Sequence, residues 1–246
     1  MVDQSEIVQL NEDGKLAIDV VPDKMLDDVG VALAARTYAY EAWRCLFGSS
    51  PSSGLLRGLG GSDFRSAISV ICGEEAGAVE AVADAAVSQS GDVEHLRDEY
   101  TRCFVGPGKL PAYPWESVNL EADGALFGDS TLAVRRTYAA HGMQSKRRGS
   151  EPDDYIALEL QFMEVLAKRT ADNWCRGDRA SCASNLKASA SFLDEHLNRW
   201  VPLYAAAFVE NGERGFYGCA AEGLKQFLEA DRAFLEELRP VIESAS

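Results

Sequence analysis

Three groups of side chains have types and spacing that invite a chemical reading. Glu151, Asp153 and Asp154 gather three carboxylates around Pro152. Glycosidase-type catalysis needs two carboxyl groups facing each other across a cleft. Acids that flank a proline just ahead of an apolar-periodic stretch are explained more simply as first-turn residues meeting the positive end of a helix dipole. Gly106-Pro107-Gly108-Lys109 has the composition of a phosphate loop. It lacks the G-x-x-x-x-G-K-[ST] spacing between a strand and a helix that phosphate binding requires. The histidines, His95, His141 and His196, are scattered, and no Ser-His-Asp or Cys-His arrangement shows in their spacing. The cysteines are Cys45, Cys72, Cys103, Cys175, Cys182 and Cys219, with no C-x-x-C pair. They read as reduced thiols packed as small apolar groups, with no metal site. No catalytic constellation, and so no enzyme, is expected.

Tyr113, Pro114 and Trp115 form a different kind of group, an aromatic pair in a proline-fixed loop. Two readings are open. The rings pack into a core, or they form a preorganised wall for an extended or helical peptide.

The elements that position these residues are almost all helical. Alternating apolar residues on either side of Asn11-Glu12-Asp13-Gly14 predict a small hairpin or extended arm over about residues 6–21. Two strands alone are marginal, so the arm must dock on something. Pro22-Asp23 opens a long helix that places Leu26, Val29, Leu33, Tyr40, Trp43 and Phe47 on one face and stops at Gly48. Further helices are predicted over 54–59, 62–72 with Ser62 as cap, 74–89, and from Asp92 through Phe104. Residues 105–129 carry three prolines at their start and read as a long loop. Ser130 is the expected cap of a helix ending near His141-Gly142, and a basic linker, Gln144 to Ser150, follows. The helix opened by Glu151-Pro152-Asp153-Asp154 is apolar on both faces and therefore central. Helices over about 181–198, 201–211 and 216–238 complete the chain.

Composition bounds the rest. The 246 residues are 46% hydrophobic, enough for a substantial core. No run of eighteen apolar residues occurs, so no stable membrane insertion is expected. The start, Met1-Val2-Asp3-Gln4-Ser5-Glu6, lacks the basic and apolar regions of a secretory signal, so a cytoplasmic location is expected. The formal net charge is −15. That charge disfavours nucleic acid and anionic membrane as partners and favours encounter with a basic peptide.

Several separate motifs resemble one family. They are Tyr100-Thr101-Arg102-Cys103-Phe104-Val105-Gly106-Pro107-Gly108, Pro111-Ala112-Tyr113-Pro114-Trp115-Glu116-Ser117-Val118 and Leu126-Phe127-Gly128-Asp129-Ser130-Thr131-Leu132-Ala133-Val134-Arg135. Glu151-Pro152-Asp153-Asp154-Tyr155-Ile156-Ala157-Leu158-Glu159 and the Phe192-Leu193, His196-Leu197 and Trp200-Val201-Pro202 series continue the pattern. In order and spacing they resemble the TorD/DmsD chaperones, the redox enzyme maturation proteins of molybdenum oxidoreductases. The likeness covers roughly residues 25–240. Two departures stand out: Tyr155 occupies a position where the family commonly has histidine, and Cys103 a leucine position.

The resemblance implies an all-α, two-lobed helical bundle. Its divisions would be an N-terminal arm (1–22), an N-terminal lobe (23–143) that includes the 105–129 loop, a linker (144–155) and a C-terminal lobe (156–246). It also implies a cytoplasmic chaperone with no cofactor of its own. Such a chaperone binds the twin-arginine signal peptide, the apo form, or both, of a DMSO-reductase-like molybdenum enzyme, and assists cofactor insertion and assembly before export. The partner is then the catalytic subunit of that client. A NarJ-like assembly adaptor for a non-exported client is the alternative, ahead of a helical enzyme with a hidden site. The implied peptide-binding residues are Tyr100, Phe104, Tyr113, Pro114, Trp115, Glu116, Asp153, Asp154 and Tyr155.

Overall fold

The computed structural model describes residues 7–9, 27–122, 124–146 and 151–244, and the fold is all-α apart from one short strand pair. Helix α1 (Asp28–Gly48) starts where the side chain of Asp27 accepts from the Gly30 amide at 2.8 Å. The same oxygen accepts from Trp174 Nε1 at 2.8 Å, so a single carboxylate caps one helix and anchors the end of another. Helices α2 (Ser53–Gly60), α3 (Ser62–Cys72) and α4 (Gly77–Gln89) follow in quick succession. Helix α5 (Val93–Tyr100) is capped by Asp92, as its sequence predicts, and runs into a π-turn over Thr101–Val105.

The predicted loop over 105–129 contains a short helix after all, α6 (Glu116–Leu120), placed just beyond the last proline. Helix α7 (Asp129–Ala140) leads into strand β2 (Met143–Ser145). Helix α8 (Ile156–Arg176) ends in a left-handed Gly177. Helix α9 (Arg179–Phe192) passes through a π-turn, Leu193–Leu197, into α10 (Asn198–Glu210), and α11 (Phe216–Ser244) closes the chain.

The packing follows the apolar faces. Helix α1 lies along α8, and α11 packs on α3, α4, α9 and α10. Trp43 meets Phe47, Phe64 and Phe227, while Phe162 meets Tyr138 and Phe192. These rings belong to one buried apolar cluster that runs from α1 to α11. Inside it, fully buried Arg36 on α1 reaches Asp231 on α11 through Nε at 2.7 Å and Nη2 at 3.0 Å. Tyr40 donates to the same carboxylate at 2.6 Å. A charge removed from water demands such partners, so this ion pair fixes how the first and last helices meet.

Strand β1 (Ile7–Gln9) pairs antiparallel with β2, Ile7 opposite Ser145. The Asn11–Gly14 turn and the rest of the arm lie outside the described residues. Three local expectations are corrected, at Ser62, at Ser130 and at the Asp153-Asp154 pair. Ser62 and Ser130 are not caps: Gly61 and Gly128 precede those helices. Ser130 instead donates its backbone N–H to Glu121 Oε1 at 2.9 Å, so a carboxylate nine residues upstream caps α7. Finally, Asp153 and Asp154 do not cap α8, whose N-cap residue is Tyr155 with no side-chain bond.

Candidate functional site

The proline loop and the acidic linker are laced together by backbone. Glu116 donates its N–H to the Asp154 carbonyl at 3.1 Å, and Ile156 donates to the Pro114 carbonyl at 3.0 Å. Between these bonds Trp115 and Tyr155 form an antiparallel bridge, with ring centroids 5.8 Å apart. The loop is braced from its other side by Asn119, whose Nδ2 donates to the carbonyls of Tyr113 at 2.7 Å and Trp115 at 2.8 Å. Asn211, just past α10, donates to the Pro111 carbonyl at 2.9 Å. Prolines remove the loop's own donors, so asparagine side chains and the linker supply the bonds that hold it.

The acids serve this clamp from inside. Asp154 is fully buried. Its Oδ2 accepts from the Ser117 amide at 2.7 Å, and its Oδ1 accepts from the Thr131 hydroxyl at 2.7 Å. One carboxylate thus ties the linker to α6 and α7, meeting the orphan amides at the start of α6 rather than those of its own helix. Asp153, equally buried, takes Arg135 on α7 through Nε at 2.7 Å, and its carbonyl accepts from the Tyr138 hydroxyl at 3.1 Å. Glu116 is buried too, with Oε2 at 2.9 Å from Nδ1 of His196.

Beside that pair sits a carboxyl group the motifs do not single out as functional, Glu159. Its Oε2 accepts from Trp200 Nε1 at 3.1 Å, while Oε1 has no hydrogen-bond partner. Burial first, and the nearby Glu116 second, push its pKa well above the ordinary glutamate range. The signal for it was present: a glutamate in a helix that is apolar on both faces has no solvent side to occupy. His196, Trp200, Thr131 and Arg135 are the other members of the network that sequence reasoning missed. Each is an ordinary helix residue until the fold brings it to the linker.

Of the nine predicted residues, Pro114, Glu116, Asp153 and Asp154 are therefore interior, and Tyr100 nearly so. Tyr113 is 38% exposed, and Trp115, Tyr155 and Phe104 are half-buried. Tyr155 donates its hydroxyl to the Phe47 carbonyl at 3.0 Å. Phe47 also meets Phe104 at 6.0 Å between ring centroids, and Phe104 stacks on Tyr100 at 4.8 Å. Through Phe47 the fold joins all the predicted aromatics except Tyr113 into one connected set. The indole N–H of Trp115 is a buried donor without an acceptor. In the position where a histidine is common, Tyr155 thus acts as a pin between the linker and the end of α1. Cys103, in the leucine position, is buried, and burial pushes its thiol up to about 12.

Chemically, the site offers apolar rings on a locked backbone, with ionisable groups turned inward. Among the described residues no group of three or more His, Cys, Asp or Glu side chains could hold a metal ion. No described helix is long and apolar enough to cross a membrane.

Comparison with known proteins gives concordant matches. The Tat proofreading chaperone DmsD of Salmonella typhi is 32% identical over 133 residues, which is 54% of this chain and 58% of that protein. The chaperone protein TorD of Vibrio cholerae serotype O1 is 29% identical over 143 residues, 58% of this chain and 63% of that protein. The chain thus spans less than two thirds of the length of these relatives. A solved chain from Archaeoglobus fulgidus, at 20% identity, covers 84% of this chain and 99% of its own length with a TM-score of 0.47. Residues 73–206, which include both the proline loop and the acidic linker, match the family described as nitrate reductase delta subunit. On that match, more than half of its length, the chain belongs to the nitrate reductase delta subunit family.

Proposed function

We propose that the chain is a cytoplasmic chaperone, not an enzyme, for a DMSO-reductase-like molybdenum oxidoreductase. It binds the client's twin-arginine signal peptide, its apo form, or both, and assists cofactor insertion and assembly before export. The names of the relatives, a Tat proofreading chaperone and a TorD chaperone, support this reading. The observation that carries it is the rim of partly exposed rings, Tyr113, Trp115, Tyr155 and Phe104, on a backbone clamped by buried carboxylates. A peptide needs such a wall: micromolar affinity requires about 8 kcal/mol net. Burying one large apolar side chain supplies roughly 1.5–3 kcal/mol, whereas an exposed ion pair supplies about 0–1 kcal/mol.

The peptide lies in a groove between the lobe of residues 23–143 and that of 156–246, lined by the 111–117 loop, with Asp153, Asp154 and Tyr155 at its linker side. Tyr113, Trp115, Tyr155 and Phe104 touch it. Tyr100, Pro114, Glu116, Asp153 and Asp154 position those rings. The unpartnered indole N–H of Trp115 is a donor available to a peptide carbonyl once the ring shifts.

The description of the matched family, a nitrate reductase subunit, favours a second reading: an assembly adaptor for a client that is not exported. Affinity-tagged chain recovered from its native host, with the co-purifying protein identified by mass spectrometry, separates the two. The first reading expects a molybdenum oxidoreductase catalytic subunit with a twin-arginine leader. A client without a leader supports the second, and recovery of no oxidoreductase contradicts both.

A further inference from the structure

The loop between α6 and α7 and the first turn of α7 present apolar side chains that the aromatic rim does not use. Leu126 is 46% exposed, Phe127 47% and Leu132 40%. Phe127 stands just before the cap residue Gly128, and Leu132 is the fourth residue of α7. These are the two positions, one before the cap and the fourth of the helix, that pair in a hydrophobic staple. A staple alone would bury them, yet both remain open to water.

The backbone at Phe127 is also strained. Its φ of +64° lies in the left-handed region, where a bulky side chain is an outlier. The loop enforces this. Glu121 accepts from the Ser130 amide at 2.9 Å while its own carbonyl accepts from the Gly124 amide at 3.0 Å, closing the loop at both ends. A Cβ on Gly128 would come within 1.7 Å of the Glu121 carboxylate, so the closure tolerates no side chain there. Strain of this kind persists where surrounding structure over-determines it, and it gathers at functional positions.

We infer that Leu126, Phe127 and Leu132 form a second docking surface, for a segment of the client that carries basic and apolar side chains together. This rests on the chaperone reading above. Charge argues for that occupant. Glu121 and Asp129 flank the loop, and no lysine or arginine occurs between Lys109 and Arg135. Size argues against a second copy of this chain: a stable interface buries about 1,200–2,000 Å², far more than three half-exposed side chains supply. The helix that carries Leu132 is tied to the acidic linker from inside by Asp154, which holds Thr131 of α7 and Ser117 of α6 at 2.7 Å each.

The probe is a fluorescent synthetic peptide, Ser-Arg-Arg followed by a leucine- and alanine-rich stretch, followed by anisotropy. Phe127→Ser should weaken its binding by about tenfold, and Phe127→Ser with Leu132→Ser by more, a factor of ten corresponding to about 1.4 kcal/mol. Phe127→Gly separates binding from structure. Glycine relieves the positive φ, so its melting temperature should stay level or rise while affinity falls. A Phe127→Gly protein that melts lower and binds normally would show a staple only and overturn the inference. Normal binding by Phe127→Ser would overturn it and leave the chaperone reading standing. So would a wild-type dimer, seen by sedimentation, that the double variant dissolves without loss of peptide affinity. No binding by wild-type protein would overturn both.

Discussion

Asp154 shows how a residue's role follows from what it touches. Truncating it to alanine leaves the Ser117 amide and the Thr131 hydroxyl unpaired in the interior. Each such group costs about 1–3 kcal/mol, so Asp154→Ala should lower unfolding free energy measurably in urea, and Asp154→Asn, which keeps one acceptor, should lower it less. Glu159 makes a prediction of opposite sign. Its folded pKa is raised, so the folded chain holds a proton that the unfolded chain releases above the ordinary value of 4.5. Unfolded protein then binds fewer protons, and stability falls as pH climbs from that value toward the raised folded pKa. Glu159→Gln keeps an acceptor for Trp200 and removes the titration. It should therefore be more stable than wild type at pH 8 and show a flatter stability profile above pH 5; equal slopes for the two proteins would contradict the buried, protonated assignment. At this scale the sequence exposes the residue types and hides their partners. The cluster at 151–154 is visible as acids and reads as a helix cap, because first-turn acids usually serve the helix that follows. Here a bridge between Trp115 and Tyr155 turns the linker back, and the same carboxylates serve α6 and α7 instead.

Elements are joined in this molecule by single buried ties as much as by apolar faces. Arg36 and Asp231 lie 195 residues apart in sequence and fix α1 against α11. Removing one partner strands the other's charge, so Asp231→Ala should destabilise by about 3–5 kcal/mol in chemical denaturation, whereas Arg36→Met combined with Asp231→Leu strands only the Tyr40 hydroxyl and should cost about 1–3 kcal/mol. If the double change is as damaging as the single one, packing rather than charge holds the two helices. Helix positions themselves were legible: the 3.6-residue stripe through Leu33, Tyr40, Trp43 and Phe47 predicts the buried face of α1, and the doubly apolar stretch after Tyr155 predicts the central α8. What the periodicity could not reveal is pairing between distant segments. A strand of three residues has no register signal strong enough to point to Met143–Ser145 as its partner, since backbone bonds are alike everywhere and only a buried face selects among them. Arg36 was likewise unreadable, because an arginine on an apolar face is noticed only once its carboxylate partner is known.

For the whole molecule, charge and thiol chemistry set the conditions of binding. Burial pushes the thiols of Cys72 and Cys103 up to about 12, and all six cysteines are free. Reductant should therefore leave the melting temperature unchanged; a fall of many degrees would reveal a disulfide that stabilises the fold. The net charge of −15 should speed encounter with a basic peptide and make association, more than release, slow as salt is added. The family resemblance read from the spaced motifs anticipates both the helical class and the matched family, because order and spacing survive where single motifs are ambiguous. The division of labour at the site was not readable, since burial is a property of the assembled fold. If partly exposed rings bind the peptide and buried acids position them, calorimetry with a twin-arginine peptide tests this most directly. Trp115→Ala, folded by dichroism, should lose about tenfold or more in affinity through the lost apolar contact, and a folded Trp115→Ala protein that binds the peptide as tightly as wild type would contradict it.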